Sequence, residues 1–256
     1  MTRKEFFEKI RSKNRSNETF VIELLKLRGF LFDDNPVNLV LSDNSHSLDE
    51  EYLLELLEKY NLGKIKDGRI EINDVDCTEF IQTEFRESNQ IQIPSCWKNR
   101  SWQYFKNRIH GEKVAVRYLE PFIARYIKAI SACCVLTVGS CDGNHPQGNR
   151  MYIMMDGEGS NSWHKLICEK CLAEKFDIDW INQYTAMKFS PMNRYNTYYE
   201  VNKAAEYVYS LRKEIRNIKN AAFQDISSSY LKHHSSEEIE TKFVDIAAKL
   251  FDRSNL

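Results

Sequence analysis

Glycine and proline are scarce in this sequence, and neither sign of charge is in excess. Its 256 residues include nine glycines and five prolines, fewer than a many-turned all-β chain of this length would need. The 36 basic and 37 acidic residues leave a formal net charge of −1. This balance disfavours a protein that coats nucleic acid along its whole length, although it allows a local basic patch. The composition therefore favours helices.

Long hydrophobic runs are also missing. The longest, residues 132–138, is much shorter than the roughly 20 residues of a membrane-spanning helix, and the N-terminal residues lack the apolar core of a secretion signal. Hydrophobic residues nevertheless make up 42% of the chain, which is enough for a folded core. We therefore expect a cytoplasmic protein that contacts no membrane. Its richness in Asn, Lys and Ile is typical of a bacterial or phage protein.

The seven cysteines lie at irregular spacings. In a protein that is not exported, this pattern indicates reduced thiols or metal ligands and disfavours a disulfide framework. Five of the nine glycines lie in the central part of the chain. The same part contains five of the cysteines, namely Cys133, Cys134, Cys141, Cys168 and Cys171. The centre of the sequence therefore differs from both ends.

The first hundred residues predict a small helical module with one β-hairpin. Thr2 with Glu5, and Ser47 with Glu50, have the spacing of a capping box at a helix N-terminus. Alternating residues around an Asp-Gly pair predict a hairpin over residues 64–72. A proline and the absence of sustained periodicity then indicate a boundary. The predicted domains are the helical module with its hairpin, residues 1–95, and a central α+β domain with C-terminal helices, residues 96–256.

The rest of the chain predicts a small sheet between helices. A helix begins at Pro121, the apolar residues 132–138 predict a strand buried on both faces, and residues 151–155 predict a second strand. Ser160 or Ser162 is expected to cap the helix that follows.

Helices are also expected in the C-terminal part. Residues 201–222 carry apolar side chains at helical spacing, and Ser235 with Glu238 predicts the cap of a last helix. The predicted fold class is α+β, dominated by helices, with a small central β-sheet and helical N- and C-terminal segments.

A loop of small and polar residues follows the predicted buried strand. It offers a hydroxyl, a thiol and a carboxylate at consecutive positions, and its glycines permit a tight turn that a ligand can approach. We predict Cys141 and Asp142 as catalytic residues. The predicted ligand-binding residues are Ser140, Gly143, Asn144, His145 and Arg150. The alternative is an ordinary turn, because the same residue types are common in turns.

The segment around this loop resembles the tRNA wybutosine-synthesising protein 3 family. In that family a helix precedes a Thr-x-Ser-Ser-Cys-Ser-Gly-Arg segment, and a strand follows. The matching residues here are Thr137, Ser140, Cys141 and Gly143, with Gly157, Gly159 and Trp163 farther along. The similarity covers residues 113–168, while the first hundred residues have no counterpart.

The family methylates a modified guanosine in tRNA with S-adenosylmethionine. In this chain Asp142 stands where the family has a serine, and Asn144 stands where it has an arginine. The resemblance therefore implies a binding loop for a nucleotide or RNA-like ligand more than it implies the family's methyl transfer.

A zinc site is a further hypothesis for the same region. The ligand types that zinc prefers are present in Cys141, His145, His164, Cys168 and Cys171. Positions 164, 168 and 171 would share one helical face. The alternative is that the two later cysteines are buried core thiols. We assign no metal to the site, and the cofactor is unknown.

The sequence supports two hypotheses of different classes. In the first, the loop binds or transforms a nucleotide or RNA-like ligand: loop amides and Ser140 hold an anion or ribose, Asp142 accepts a hydrogen bond from a hydroxyl, and Arg150 neutralises a phosphate. In the second, the protein is an interaction module, such as an inhibitor or accessory subunit, and docks or self-associates through the apolar stripe of residues 201–222. That stripe alternatively covers the protein's own sheet.

Overall fold

Helices dominate the fold. The computed structural model describes residues 1–14, 16–33, 39–66, 69–86, 98–144, 151–178, 180–183, 186–189, 194–254 and 256. In this part of the chain the α-helices are α1 (Arg3–Lys13), α2 (Asn17–Arg28), α3 (Asp49–Lys59), α4 (Thr78–Glu84), α5 (Trp102–Asn107), α6 (Pro121–Ala132), α7 (Glu158–Ile167), α8 (Arg194–Ser210), α9 (Arg212–Gln224), α10 (Tyr230–His233) and α11 (Ser236–Ser254). A 3₁₀ turn, Val116–Tyr118, precedes α6, and a π-helical turn, Cys168–Leu172, continues α7.

The strands form two antiparallel sheets within the described residues. They are β1 (Gly63–Lys66), β2 (Arg69–Ile72), β3 (Thr137–Cys141), β4 (Tyr152–Met155), β5 (Trp180–Gln183) and β6 (Ala186–Phe189). β1 and β2 pair as a hairpin, and the other four pair in the order β3-β4-β6-β5. The register shifts between Thr137 and Gly139. Such an irregularity bends a strand, and here it lies just before the candidate site.

The centre of the fold is α6, all of whose residues are buried. It packs against α8 and α2. Gly29, which caps the C-terminus of α2, has a φ of 114°, and a Cβ there would lie 2.8 Å from the Cβ of Ala124 in α6. Glycine therefore permits both the left-handed cap and the close approach of the two helices.

Buried polar contacts also join the N-terminal segment to α6. Nζ of Lys128 donates to Oδ2 of Asp49 at 2.5 Å, and both side chains are almost completely buried. Arg28 donates to the backbone carbonyls of Val116 and Leu119. Buried apolar residues from both sides of residues 87–97 belong to one hydrophobic cluster. The predicted boundary at residue 95 lies outside the described residues, so the division into two domains stays a prediction.

The predicted fold class, α+β with helices dominant, is confirmed. The hairpin forms over β1 and β2. Thr2 and Glu5 form the expected capping box, and Ser235 and Glu238 exchange the expected hydrogen bonds before α11. A helix begins at Pro121 as predicted. Among the described residues, no helix has the length and apolar character needed to cross a membrane.

Two predicted helix caps are wrong. α3 begins at Asp49, and its preceding residue provides no side-chain cap. Instead of a Ser47–Glu50 capping box, Oδ2 of Asp49 accepts a hydrogen bond from the amide of His46. α7 begins after Gly157, earlier than Ser160 or Ser162 would allow. Both of those serines lie inside the helix, so local spacing alone misplaced the two helix starts.

The predicted strand at residues 132–138 is also misplaced. α6 continues to Ala132, a tight turn follows with Cys134 at a φ of 72°, and β3 begins only at Thr137. Residues 132–136 are almost fully buried, as expected, but burial alone does not distinguish a helix end from a strand. Ser140 and Cys141 consequently lie in a strand, whereas the sequence placed them in a loop.

The apolar stripe of residues 201–222 lies inside the fold. It is divided at Leu211 into α8 and α9. Val201, Ala204 and Val208 are at most 1% exposed, and their helix packs against α6, while α9 packs against α11. The docking hypothesis therefore loses the exposed surface on which it depended.

Candidate functional site where α6 begins and β3 ends

The predicted site residues that the structure describes, Ser140 to Asn144, run from the end of β3 into the protein interior beside the start of α6. The side chains of Cys141, Asp142 and Asn144 are at most 2% exposed, and Ser140 is half-buried. Gly143 has a φ of 73°, a backbone conformation that glycine adopts without strain. The chain can therefore turn sharply between the buried carboxyl of Asp142 and the buried amide of Asn144.

Two buried carboxyl groups meet at this turn. Glu120 directly precedes α6, and its Oε2 accepts a hydrogen bond of 2.5 Å from the amide of Asp142. Oδ2 of Asp142 accepts a longer hydrogen bond, 3.4 Å, from the amide of Phe122 in the first turn of α6. Glu120 and Asp142 are both 2% exposed, and the negative charge of Glu120 acts on the carboxyl of Asp142. We call Glu120 and Asp142 the carboxyl pair.

The environment raises the pKa of Asp142 to about 7. Burial is the largest cause, and the negative charge of Glu120 adds to it; the amides of Asn144 and Phe122 act in the opposite direction by donating to the carboxylate. A helix N-terminus also favours a negative charge, yet the pKa stays high. The carboxyl pair can therefore exchange a proton near neutral pH, a property typical of acid–base sites.

Cys141 is a neutral thiol in the same turn. Its Sγ accepts a hydrogen bond of 3.3 Å from the amide of Gly143, but burial dominates and raises the pKa of the thiol to about 12. A thiolate is the nucleophilic form of cysteine. The arrangement consequently favours proton transfer by Asp142 over nucleophilic attack by Cys141.

The backbone amides of the turn already have acceptors inside the protein. The amide of Asp142 donates to Glu120, that of Gly143 to Cys141, and that of Asn144 to Oδ1 of Asp142 at 2.7 Å. In this arrangement the three amides do not present an anion-binding nest. This differs from the predicted role of the loop amides in holding an anion or ribose.

A second layer of residues covers the turn. The hydroxyl of Tyr198 donates to the carbonyl of Asp142 at 2.8 Å, and its ring stacks on Phe122 with centroids 4.3 Å apart. The side chain of Asn144 donates to the carbonyl of Arg86 at 3.3 Å and accepts from Nη1 of Arg194 at 3.4 Å. Both hydrogen bonds of Asn144 are near the upper limit of useful length. Asn144 therefore links Asp142, through its backbone amide, to Arg194, through its side chain.

Sequence analysis missed three of these residues. Glu120 precedes the proline that starts α6, and Arg194 and Tyr198 lie in a segment that mixes basic and aromatic residues. That mixture is a signal that could have identified Arg194 and Tyr198, because it suits contacts with phosphates and bases. Nothing in the sequence indicated that Glu120 would lie beside Asp142.

The predicted ligand-binding residues His145 and Arg150 lie outside the described residues. Their roles stay predictions. The described part of the site comprises Ser140, Cys141, Asp142, Gly143 and Asn144 with Glu120, Arg194 and Tyr198.

The proposed zinc ligands His164 and Cys168 lie in the interior. The hydroxyl of Tyr126 is 3.0 Å from Nε2 of His164 and 3.8 Å from Sγ of Cys168. Burial lowers the pKa of His164 to about 3 and raises the pKa of Cys168, so both are neutral. Among the described residues, no group of three or more His, Cys, Asp or Glu side chains could hold a metal ion.

Comparison of the chain with family models, with curated proteins and with solved structures finds no match.

Proposed function

We propose that this protein binds a nucleotide or RNA-like ligand where α6 begins and β3 ends, and that the carboxyl pair takes up or donates a proton there. The observation that supports the proposal most directly is the hydrogen-bonded, buried pair of Glu120 and Asp142, with a pKa of about 7 for Asp142. Carboxyl groups with strongly shifted pKa values are characteristic of functional sites. The proposal places the protein in the cytoplasm, where such ligands are available.

The residues outside the carboxyl pair suit a ligand that carries phosphates and bases. Arg86 is exposed, and Arg194 and Tyr195 are half-buried. A guanidinium group pairs well with phosphate, and an aromatic ring offers a stacking surface for a base. In the proposed complex a phosphate takes the place of the Asn144 amide beside Arg194.

The protonation state of the carboxyl pair then controls the affinity for the ligand. When Asp142 is protonated, only one negative charge remains in the pair, and a phosphate nearby is repelled less. When Asp142 loses its proton, two adjacent carboxylates repel a phosphate. Binding should therefore weaken as the pH rises through about 7, the pKa of Asp142.

The test is fluorescence anisotropy with a labelled single-stranded RNA of about 12 nucleotides, measured across a pH series. We expect affinity to fall as the pH rises past neutrality. Asp142→Asn, which stays neutral, should remove this dependence. Glu120→Gln removes one cause of the raised pKa and should move the midpoint to a lower pH.

Asp245→Asn is the matched control, because Asp245 is exposed on α11 and far from the turn in sequence. It should bind RNA with the pH profile of the wild-type protein. The proposal is wrong if the RNA does not bind at any pH, or if Asp142→Asn keeps the full pH dependence.

A further inference from the structure

A groove of about 490 Å³ lies between α1, α2 and α4, separate from the carboxyl pair. Its walls include Arg3, Phe7 and Arg11 from α1, Phe20 from α2 and Ile81 from α4. The volume is in the range of ordinary small-molecule sites, which combine apolar walls with a few polar groups. The groove therefore has room for one nucleotide-sized ligand.

Two arginines cover aromatic rings in this groove. The guanidinium carbon of Arg11 lies 4.6 Å from the ring centroid of Phe20, and that of Arg3 lies 5.7 Å from the centroid of Phe7. Phe7 and Phe20 are less than 9% exposed, so the guanidinium groups form the outer surface of these rings. A planar guanidinium is itself a stacking surface for a nucleobase.

The two arginines also retain unmatched positive charge. Lys4 and Glu8, which line the same groove, form an exposed ion pair at 3.7 Å with each other. Among the described residues, no carboxylate pairs with Arg3 or Arg11. The guanidinium of Arg11 donates to the side-chain amide of Asn17, a neutral group. The groove thus carries a net positive charge that an anion can neutralise.

Arg3 is held in place by the end of α4. Its Nη2 donates to the carbonyls of Ile81 and Phe85 at 2.8 and 3.4 Å. Its Nε is buried, and none of the described residues accepts a hydrogen bond from it. The contacts of Nη2 hold the guanidinium of Arg3 in the wall of the groove, where its positive charge can attract an anion.

We propose that this groove is a second binding site, which takes a nucleoside monophosphate: the base stacks on the guanidinium of Arg11, and the phosphate pairs with Arg3. A base alone would leave the positive charge unmatched, and inorganic phosphate alone would leave the stacking surface and the apolar wall uncovered. A ligand that carries both a base and a phosphate covers the stacking surface and neutralises the positive charge.

This site is independent of the proposed function at the carboxyl pair. Phe7 contacts Phe122, the residue whose amide donates to Asp142, so one layer of aromatic rings separates the two. Variants of the groove and variants of the carboxyl pair should therefore have different effects. Asp142→Asn should leave binding in the groove unchanged.

The experiment is a fluorescence titration of the full chain with AMP that carries an N-methylanthraniloyl group on its ribose. We expect saturable binding at concentrations up to about 1 mM and competition by unlabelled AMP. Adenosine and inorganic phosphate at the same concentration should compete far less. Arg11→Gln should weaken binding about tenfold or more. Arg11→Lys should also weaken it, because a lysine keeps the charge but loses the planar group.

Arg253→Gln is the control, since it removes one exposed positive charge from α11, away from the groove. It should bind as the wild-type protein does. Arg3→Gln loses the contacts to α4 and can lower stability, so melting curves accompany it and the decisive comparison is Arg11→Gln against Arg253→Gln. Absence of saturable binding, equal affinity in these two variants, or equal competition by inorganic phosphate and AMP would each overturn the proposal.

Discussion

Oε2 of Glu120 accepts a 2.5 Å hydrogen bond from the backbone amide of Asp142. This contact holds the residue before α6 against the residue after β3. It also brings two carboxyl groups together where both are shielded from water. Neighbouring buried carboxyl groups do not both ionise readily. The charge state of the site therefore depends on pH near neutrality.

The raised pKa of Asp142 predicts how stability changes with pH. The folded protein keeps a proton on Asp142 from about pH 4 to pH 7, whereas the unfolded chain has released it over this range. The free energy of unfolding should consequently fall as the pH rises through this window, by up to about 4 kcal/mol from this group. Asp142→Asn should lose this contribution in urea denaturation series, and Asp245→Asn should not. An identical pH dependence in wild type and Asp142→Asn would contradict the prediction.

His164 predicts a loss of stability in acid. Burial lowers its pKa from 6.5 to about 3, so the unfolded chain takes up a proton below about pH 6.5 that the folded protein excludes. Stability from this group is complete above that pH and is lost as the pH falls towards 3, by up to about 5 kcal/mol. Glutamine takes up no proton, so the His164→Gln variant should lose less of its pH 7 stability in acid than the wild-type protein loses. Circular dichroism would measure this difference. His233→Gln, an exposed substitution, should not change the acid midpoint.

Replacing one partner of the buried ion pair between Lys128 and Asp49 should lower the free energy of unfolding substantially. Burial lowers the pKa of Lys128, but Asp49 at 2.5 Å favours the charged form. Lys128→Met leaves the carboxylate of Asp49 without its cation and should reduce the free energy of unfolding by about 3 to 5 kcal/mol. Lys165→Met, which removes an exposed lysine paired at 3.9 Å, should cost less than about 1 kcal/mol. Equal losses in the two variants would show that the buried pair is not special.

Gly157 should not tolerate a side chain. Its φ is 86°, and a Cβ would lie 2.2 Å from the carbonyl oxygen of Arg100. Gly157→Ala should therefore destabilise the fold by about 1 to 3 kcal/mol or more. Gly139 is the matched control, because a Cβ there would make only an ordinary 3.7 Å contact with Met154. Thermal melts that rank the two alanine variants in the opposite order would contradict this account.

Sequence patterns predicted the fold where the signal is local. The Asp-Gly hairpin, the capping boxes at Thr2 and Ser235, and the proline that starts α6 each depend on residues a few positions apart. The end of α6 was predicted less well. Residues 132–136 form a buried helix end and turn, and a continuous apolar run of this kind shows neither helical nor strand periodicity. The stripe of residues 201–222 predicted helices correctly, but not the break at Leu211.

The candidate site was predicted only in part, because residues that meet there lie far apart in the sequence. Asp142 stood out beside the glycines, but its partner Glu120 lies 22 residues earlier in the chain. Arg194 reaches Asn144 across 50 residues. Contacts between residues so far apart in the sequence arise from tertiary packing, which the local spacing of residues does not indicate.

The proton on Asp142 can be followed by a carbon-13 NMR titration of its side-chain carboxyl, assigned by comparison with Asp142→Asn. We expect a midpoint near pH 7 for the free protein and a higher midpoint with the single-stranded RNA bound, because the RNA prefers the protonated pair. A midpoint near the ordinary value of about 4, unchanged by RNA, would contradict this expectation.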